Sequence, residues 1–259
     1  MTEHPLLLND AMVRARRAGR KSQTRRPVPM QREGPGTGVF EYDPDEDFWA
    51  WSRLVGNYWE REEHFYRPPF GRPGDQLWIR EAFCVESSWG GDDDYPPPFD
   101  DGRPLRWQRD DDRGSWWEQC HYRATDPRPE IGEWPLGNDD PPLAKWTPSI
   151  HMPRWASRDS VLVKRVWCER IQRASHEDMI AEGIDLCNSS VAWIVRERFG
   201  NLWDSIYAAP KRVPAKGPIS HYVSYPWEDV QETREHKGKP WIVYGNPWVW
   251  ACEFEDVKP

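Results

Sequence analysis

Several things are scarce in this 259-residue chain. Apolar runs are short: stretches such as Leu6-Leu7-Leu8 fall far below the roughly 20 residues that a membrane-spanning helix needs, and mean hydropathy is −0.92. The chain opens without a charged-then-apolar leader or a cleavage-like site, so the expectation is a soluble, cytoplasmic protein with no membrane partner. Its five cysteines (Cys84, Cys120, Cys168, Cys187 and Cys252) are odd in number and lie far apart. That pattern excludes both a disulfide framework and a CxxC metal site. The seven histidines form no HxH or HxxxH pair, so neither a metal nor another cofactor is expected.

Acid is missing locally, although the net charge is −8. Between Asp10 and Glu33 there is none, while Arg14, Arg16, Arg17, Arg20, Lys21, Arg25, Arg26 and Arg32 crowd that stretch. Such a run reads either as a phosphate-binding surface or as a solvated helix face followed by a basic loop. The acid sits elsewhere, in Asp92-Asp93-Asp94, Asp100-Asp101, Asp110-Asp111-Asp112 and Asp139-Asp140, among Gly and Pro. These runs cannot build a core and read as solvated insertions.

Tryptophan and proline are abundant, at 18 and 26 residues. That much indole requires burial or a ligand to stack on, and that much proline points to long irregular loops. The chain reads as a single domain over residues 1–259, with loop-rich insertions at 33–70, 86–146 and 208–240. Within it, Asn9 or Asp10 caps a helix running to Ala18 and stopped by Gly19. A short helix is expected around Phe48 to Glu62, and strands at Gln76 to Val85, Trp116 to Ala124 and Ser160 to Cys168. Ser175 and Asp178 form a capping box for a helix that passes Ala181 and Glu182 and ends at Gly183. A second helix spans Ser190 to Tyr207, with Val191, Ile194, Val195, Phe199, Leu202, Trp203 and Ile206 on one face. Pro247 to Glu255 closes the chain as a strand. Short strands with a few small helices predict an α+β fold, a small barrel with peripheral helices.

Three features carry candidate chemistry. In Gly19-Arg20-Lys21-Ser22-Gln23-Thr24-Arg25-Arg26, a lysine among arginines has its protonated form disfavoured, which suits a base beside a hydroxyl. The competing reading is that Arg20 and Lys21 complement the negative end of the preceding helix. In Thr147 to Arg158, His151, Arg154, Trp155 and Arg158 crowd between prolines. Either Trp155 stacks on a base while the arginines meet phosphate, or Met152 and Trp155 are core and the arginines solvated. The third is Glu182, a lone helix acid with nothing local to mark it.

Taken in order, Gly19 to Arg26, Pro73 to Phe83, Ser149 to Arg158, Ala181 to Ile184, Leu202 to Ile206 and Asn246 to Trp250 make the chain resemble the ASCH family, whose domains share the PUA-like barrel fold. It looks like the long phage and prophage type, over about half its length. The resemblance implies a protein directed at nucleic acid or nucleosides. Small members of the family are amidohydrolases of acetylated cytidine that use a Lys and a Thr in Gly-Arg-Lys-x-x-Thr and a Glu in a later helix. Those roles fall on Lys21, Thr24 and Glu182, with Glu81 as a second candidate acid. Lys21 would take the Thr24 proton, Thr24 would attack an acyl carbonyl, and Glu182 would protonate the departing amine. Arg20, Arg25, Arg26, Glu81, His151, Arg154, Trp155, Arg158 and Trp248 are the candidate contacts to RNA, a nucleoside or a modified DNA base, and Trp250 is a further stacking candidate. Alternatives on the same scaffold are a non-catalytic RNA- or DNA-binding module and a ribonuclease. This chain departs from the small enzymes in being more than twice as long.

Overall fold

A computed structural model describes residues 1–29, 38–45, 48–55, 57–89, 102–110, 114–127, 145–186, 191–207, 220–223, 231–236, 239–244 and 246–257. In chain order the elements are β1 (Glu3–Leu7), α1 (Asp10–Arg17), β2 (Gln23–Pro27), β3 (Gly38–Asp43), β4 (Phe48–Val55), β5 (Tyr58–Tyr66), β6 (Gln76–Arg80), β7 (Phe83–Trp89), β8 (Leu105–Asp110) and β9 (Gly114–Tyr122). There follow β10 (Ser160–Arg170), α2 (His176–Ala181), α3 (Ala192–Tyr207), β11 (Ser220–Val223), β12 (Gln231–His236), β13 (Lys239–Tyr244) and β14 (Trp248–Asp256). The class is α+β, as expected. Among the described residues the strands form open sheets and no closed barrel. No described helix is long and apolar enough to cross a membrane.

The chain divides into two compact units. The first comprises residues 1–18, 74–162 and 255–259. Its β1 runs parallel to β6, and the start of β10 pairs antiparallel to β6. Leu6, Leu77, Ile79 and Val161 are buried there, following the alternation that marks Gln76 to Arg80 as a strand. Helix α1 begins where the Asn9 side chain accepts from the Met12 N–H, and it buries Met12, Val13 and Ala15. A second sheet, β7-β9-β8, takes residues 86–89, 105–110 and 114–122 of the stretch that its composition marks as loop. Phe83, Cys120, Tyr122, Met152 and Ala156 form its core, and the Tyr122 hydroxyl donates to the Ala156 carbonyl at 2.8 Å. Thus Met152 belongs to the core, in a segment where Ser149–His151 and Arg154–Ala156 are single 3-10 turns, each preceded by a proline.

The second unit comprises residues 19–73 and 163–254. Here β14 pairs antiparallel to β2, and every residue from Trp248 to Cys252 is buried. Two corrections arise in this unit. Phe48 to Glu62 is not helical but contributes two strands, β4 and β5, of the sheet β3-β4-β5, so residues 33–70 are not simply loop. Aromatic residues such as Phe48, Trp49, Trp51, Tyr58 and Trp59 fit a pleated surface better than a helix, and the sheet buries Trp51 of β4 and Tyr66 of β5. Residues 208–240 likewise contain β11, β12 and the start of β13, in the order β11-β13-β12.

The tryptophans find their burial in an aromatic cluster within this unit. Phe40 meets Trp51, Tyr66, Trp248 and Trp250 at ring-centroid distances of 5.0, 5.1, 5.3 and 5.8 Å. Edge and tilted geometries of this kind add about 0.5–1.5 kcal/mol per pair beyond area burial. Gly38 is needed beside this cluster, because a Cβ there would stand 2.0 Å from the Trp51 ring. A second core joins α2 and α3 through Met179, Ile184, Val195, Phe199, Trp203 and Val249. The capping box of Ser175 with Asp178 is present, and Gly183 takes φ 89°, so this helix starts and stops where its sequence signals do. Cys84, Cys120, Cys168 and Cys252 are free thiols, whereas Cys187 and the acidic runs from Asp92 to Asp140, apart from Asp110 at the end of β8, lie outside the described residues.

Candidate functional site

Within the second unit, Lys21 lies just ahead of β2, and Glu182 is the residue that ends α2. The two form an isolated antiparallel bridge, and the Ser22 N–H donates to the Ala181 carbonyl at 2.8 Å. This bridge brings together side chains 161 positions apart. Lys21 Nζ donates to Glu182 Oε2, to the Glu182 carbonyl and to the Gln23 carbonyl, each at 2.8 Å. The Lys21 side chain is wholly buried and that of Glu182 is 6% exposed. An ammonium carries three donors, and all three are used.

Arg25 approaches Glu182 through the other carboxylate oxygen. Its Nη1 lies 3.3 Å from Oε1, while Nε and Nη2 donate to Glu169 Oε1 at 3.1 and 2.9 Å. Gln23 joins this network by accepting from Arg25 Nη1 at 3.1 Å and donating to Asp178 Oδ1 at 2.9 Å. Alternation along an extended strand accounts for the arrangement, since Gln23 and Arg25 share one face of β2. Thr24 takes the opposite parity, pairs in register with Cys252, and is fully buried. Its hydroxyl accepts from Arg26 Nη1 at 3.2 Å and makes no hydrogen bond to Lys21.

The electrostatics follow from burial. Desolvation pulls the Lys21 ammonium below its ordinary value; Glu182 opposes this, and Arg26 and Arg25 add to it. Burial pushes the Cys252 thiol up to about 12, with the Glu182 charge adding to the rise, so the thiol stays protonated at neutral pH. Burial also raises the Tyr207 phenol, and the neighbouring Arg26 guanidinium counters it. Among the described residues no group of three His, Cys, Asp or Glu is disposed to hold a metal ion.

The remaining candidates fall into separate groups. Arg20 is exposed. Trp248 and Trp250 belong to the aromatic cluster of the second unit, which corrects their expected role as exposed stacking platforms. In the first unit, Glu81 is 1% exposed and is held by Arg158 Nε and Nη2 at 2.9 and 3.0 Å. The acid beside Lys21 is therefore Glu182. His151 is exposed, and Arg154 pairs with Glu3 through two hydrogen bonds of 2.8 and 2.7 Å. Trp155 is half-buried beneath the Arg106 guanidinium.

The basic stretch is partly paired within the structure. Its missing counter-charges arrive from distant sequence: Asp159 for Arg16 and Arg17, Asp256 for Arg16, Glu182 for Lys21, and Glu169 with Glu182 for Arg25. Arg32 lies outside the described residues. Gln23, Glu169 and Asp178, which complete the buried network, were not evident as site residues. The signal for Gln23 was the polar alternation Lys21-Gln23-Arg25; for the two acids there was no local one. Comparison of the chain with known families, characterised proteins and solved structures finds no match.

Proposed function

We propose that this is an ASCH-type protein of the PUA-like class that acts on a modified nucleoside, hydrolysing the acyl amide of an acetylated cytidine. The observation that carries the reading is the direct contact of Lys21 with Glu182 in a dry environment, beside the strand that holds Thr24. Burial disfavours the charged form of Lys21, which favours its action as a neutral amine base beside Glu182. In the neutral form Lys21 accepts the hydroxyl proton of Thr24 as Thr24 Oγ1 bonds to the acyl carbon. Glu182 gives its proton to the amino group of cytidine as the C–N bond breaks. An acyl-threonine remains, with the pair now charged. Water then attacks the ester while giving one proton to Glu182, Lys21 returns its proton to Thr24 Oγ1, and acetic acid departs, leaving the pair neutral again. For this sequence the substrate must draw Thr24 Oγ1 away from Arg26 and free the lone pair of Lys21 from its present bonds.

Lys21→Ala, Thr24→Ala and Glu182→Gln should each reduce release of acetate from acetylcytidine by at least about a hundredfold, as expected for loss of a proton-transfer group or nucleophile. Full activity in Thr24→Ala would eliminate the acyl-threonine.

A second reading is a non-catalytic nucleic-acid-binding module. The saturation of Lys21 Nζ favours it, because an ammonium with three short hydrogen bonds serves well as a rivet between β2 and α2. It predicts salt-sensitive RNA binding with no product.

A further inference from the structure

Outside the Lys21 network, the first unit carries two adjoining open clefts lined by guanidinium groups. The larger, about 490 Å³, is lined by Arg16, Arg17, Gln76, Arg158, Asp159 and Ser160, with Asp256 at its rim. The smaller, about 380 Å³, shares Arg17, Arg158 and Asp159 and adds Thr125 and Arg103, the latter paired with Asp126 at 3.1 Å.

These arginines are anchored from behind by two carboxylates that are themselves largely or wholly buried. A single oxygen, Asp159 Oδ2, takes Arg16 Nη1 at 3.1 Å and Arg17 Nη1 at 2.9 Å. Glu81 takes Nε and Nη2 of Arg158, whose Nη2 also donates to Thr125 Oγ1 at 2.9 Å. The Arg158 guanidinium lies over the Tyr122 ring at 3.8 Å, and its Nη1, like Nε and Nη2 of Arg17, makes no hydrogen bond among the described residues. Arg16 is the most telling. Its side chain is 9% exposed, and its Nε–H is a buried donor without a hydrogen-bond partner. A buried orphan donor of this kind is costly, which makes it a sign of an absent acceptor. Three guanidiniums here face three carboxylates, Asp159, Glu81 and Asp256, so the larger cleft gains an excess positive charge only when Asp256 is displaced. The one further acid on Arg16, Asp256, is 72% exposed and sits 2.6 Å from Nη2. An oxyanion thus already rests where a ligand's would.

The structure assigns to this cleft the binding of a phosphate ester, with the Asp256 carboxylate as a resident competitor for Arg16. Guanidinium forks match phosphate oxygens, and anchoring by Asp159 and Glu81 removes the rotamer entropy that a loose arginine would lose on binding. The site is independent of the acyl-transfer reading. Of the cations of the basic run it selects Arg16 and Arg17, joined by Arg158.

The test is fluorescence anisotropy of the full chain with a labelled eight-nucleotide single-stranded RNA, with cytidine 5′-monophosphate as competitor. Arg17→Ala should weaken binding about tenfold, the effect of one charge-assisted hydrogen-bonded contact, and should lower the slope of log K against log salt by about 1. Asp256→Asn should tighten binding severalfold. Because Arg158 covers Glu81, it is tested as the double variant Arg158→Met, Glu81→Gln, which removes both charges and should also weaken binding. Displacement by the mononucleotide at equal site affinity identifies a single phosphate ester as the ligand, and binding of the oligonucleotide alone identifies a nucleic-acid backbone. Unchanged affinity in both Arg17→Ala and Asp256→Asn overturns the proposal. Acetate release from acetylcytidine, measured on Arg17→Ala and Asp256→Asn, stays at wild-type level if this cleft alone is at fault.

Discussion

The two units each bury a carboxylate against a cation, and the pairs behave differently. In the second unit Glu182 meets Lys21 and Arg25; in the first, Glu81 meets Arg158. Arginine cannot release its proton, so the Arg158–Glu81 pair can change charge only at the acid, whose value burial raises while Arg158 pulls it down. Lysine can release its proton, and burial pulls Lys21 the opposite way. The cation can therefore lose its charge in one pair and not in the other. That distinction, more than burial, separates a candidate catalytic pair from an anchoring one.

The sharpest break should come from Glu182→Ala, which strands Lys21 in a dry environment and leaves Arg25 with Glu169 as its close carboxylate partner. Leaving a buried charge uncompensated costs about 3–5 kcal/mol, so a large fall in the denaturant midpoint, or failure to fold, is expected. A loss under about 1 kcal/mol would mean that water reaches the network. Arg158→Met should cost less, about 1–3 kcal/mol, because Glu81 can take up a proton and leave a neutral polar group behind. Adding Glu81→Gln should recover part of that loss, as chemical denaturation of the single and double variants will reveal.

The smallest effect is the pH dependence, and its sign differs between the pairs. Glu81 has a folded value above its ordinary 4.5, so its contribution is greatest below that value and is lost as pH rises through the folded one. Lys21 has a folded value below its ordinary 10.5, so its contribution is present above 10.5 and is lost as pH falls through the folded one. Stability measured against pH should lose its Glu81 slope on the acid side in Glu81→Gln and its Lys21 slope on the alkaline side in Lys21→Met. If both slopes survive unchanged, the two shifts are assigned to the wrong groups.

Local signals were legible wherever the physics is local. Asn9, the Ser175–Asp178 box and Gly183 bound their helices as expected, and Ser160 to Cys168 and Pro247 to Glu255 are strands because their apolar residues leave no other face to bury. Phe48 to Glu62 misled because aromatic side chains at irregular spacing fit a helix face and a sheet alike. Only pairing with Gly38 to Asp43 decides between them. Cation density is incomplete for a related reason: a charge run read along the chain omits acids that arrive from elsewhere.

What the sequence by itself determined is therefore the helix boundaries, the principal buried strands, the α+β class and the residue types from which a site can be built. Tertiary structure alone decided which acid meets Lys21, that Arg25 lies inside and that the indoles pack on one another. It also left the donor of Arg16 unpaired. Caps and alternation act over a few residues and are written in adjacent letters. Ion pairing and desolvation depend on distance in space, and chain folding sets that distance without regard to position in the sequence.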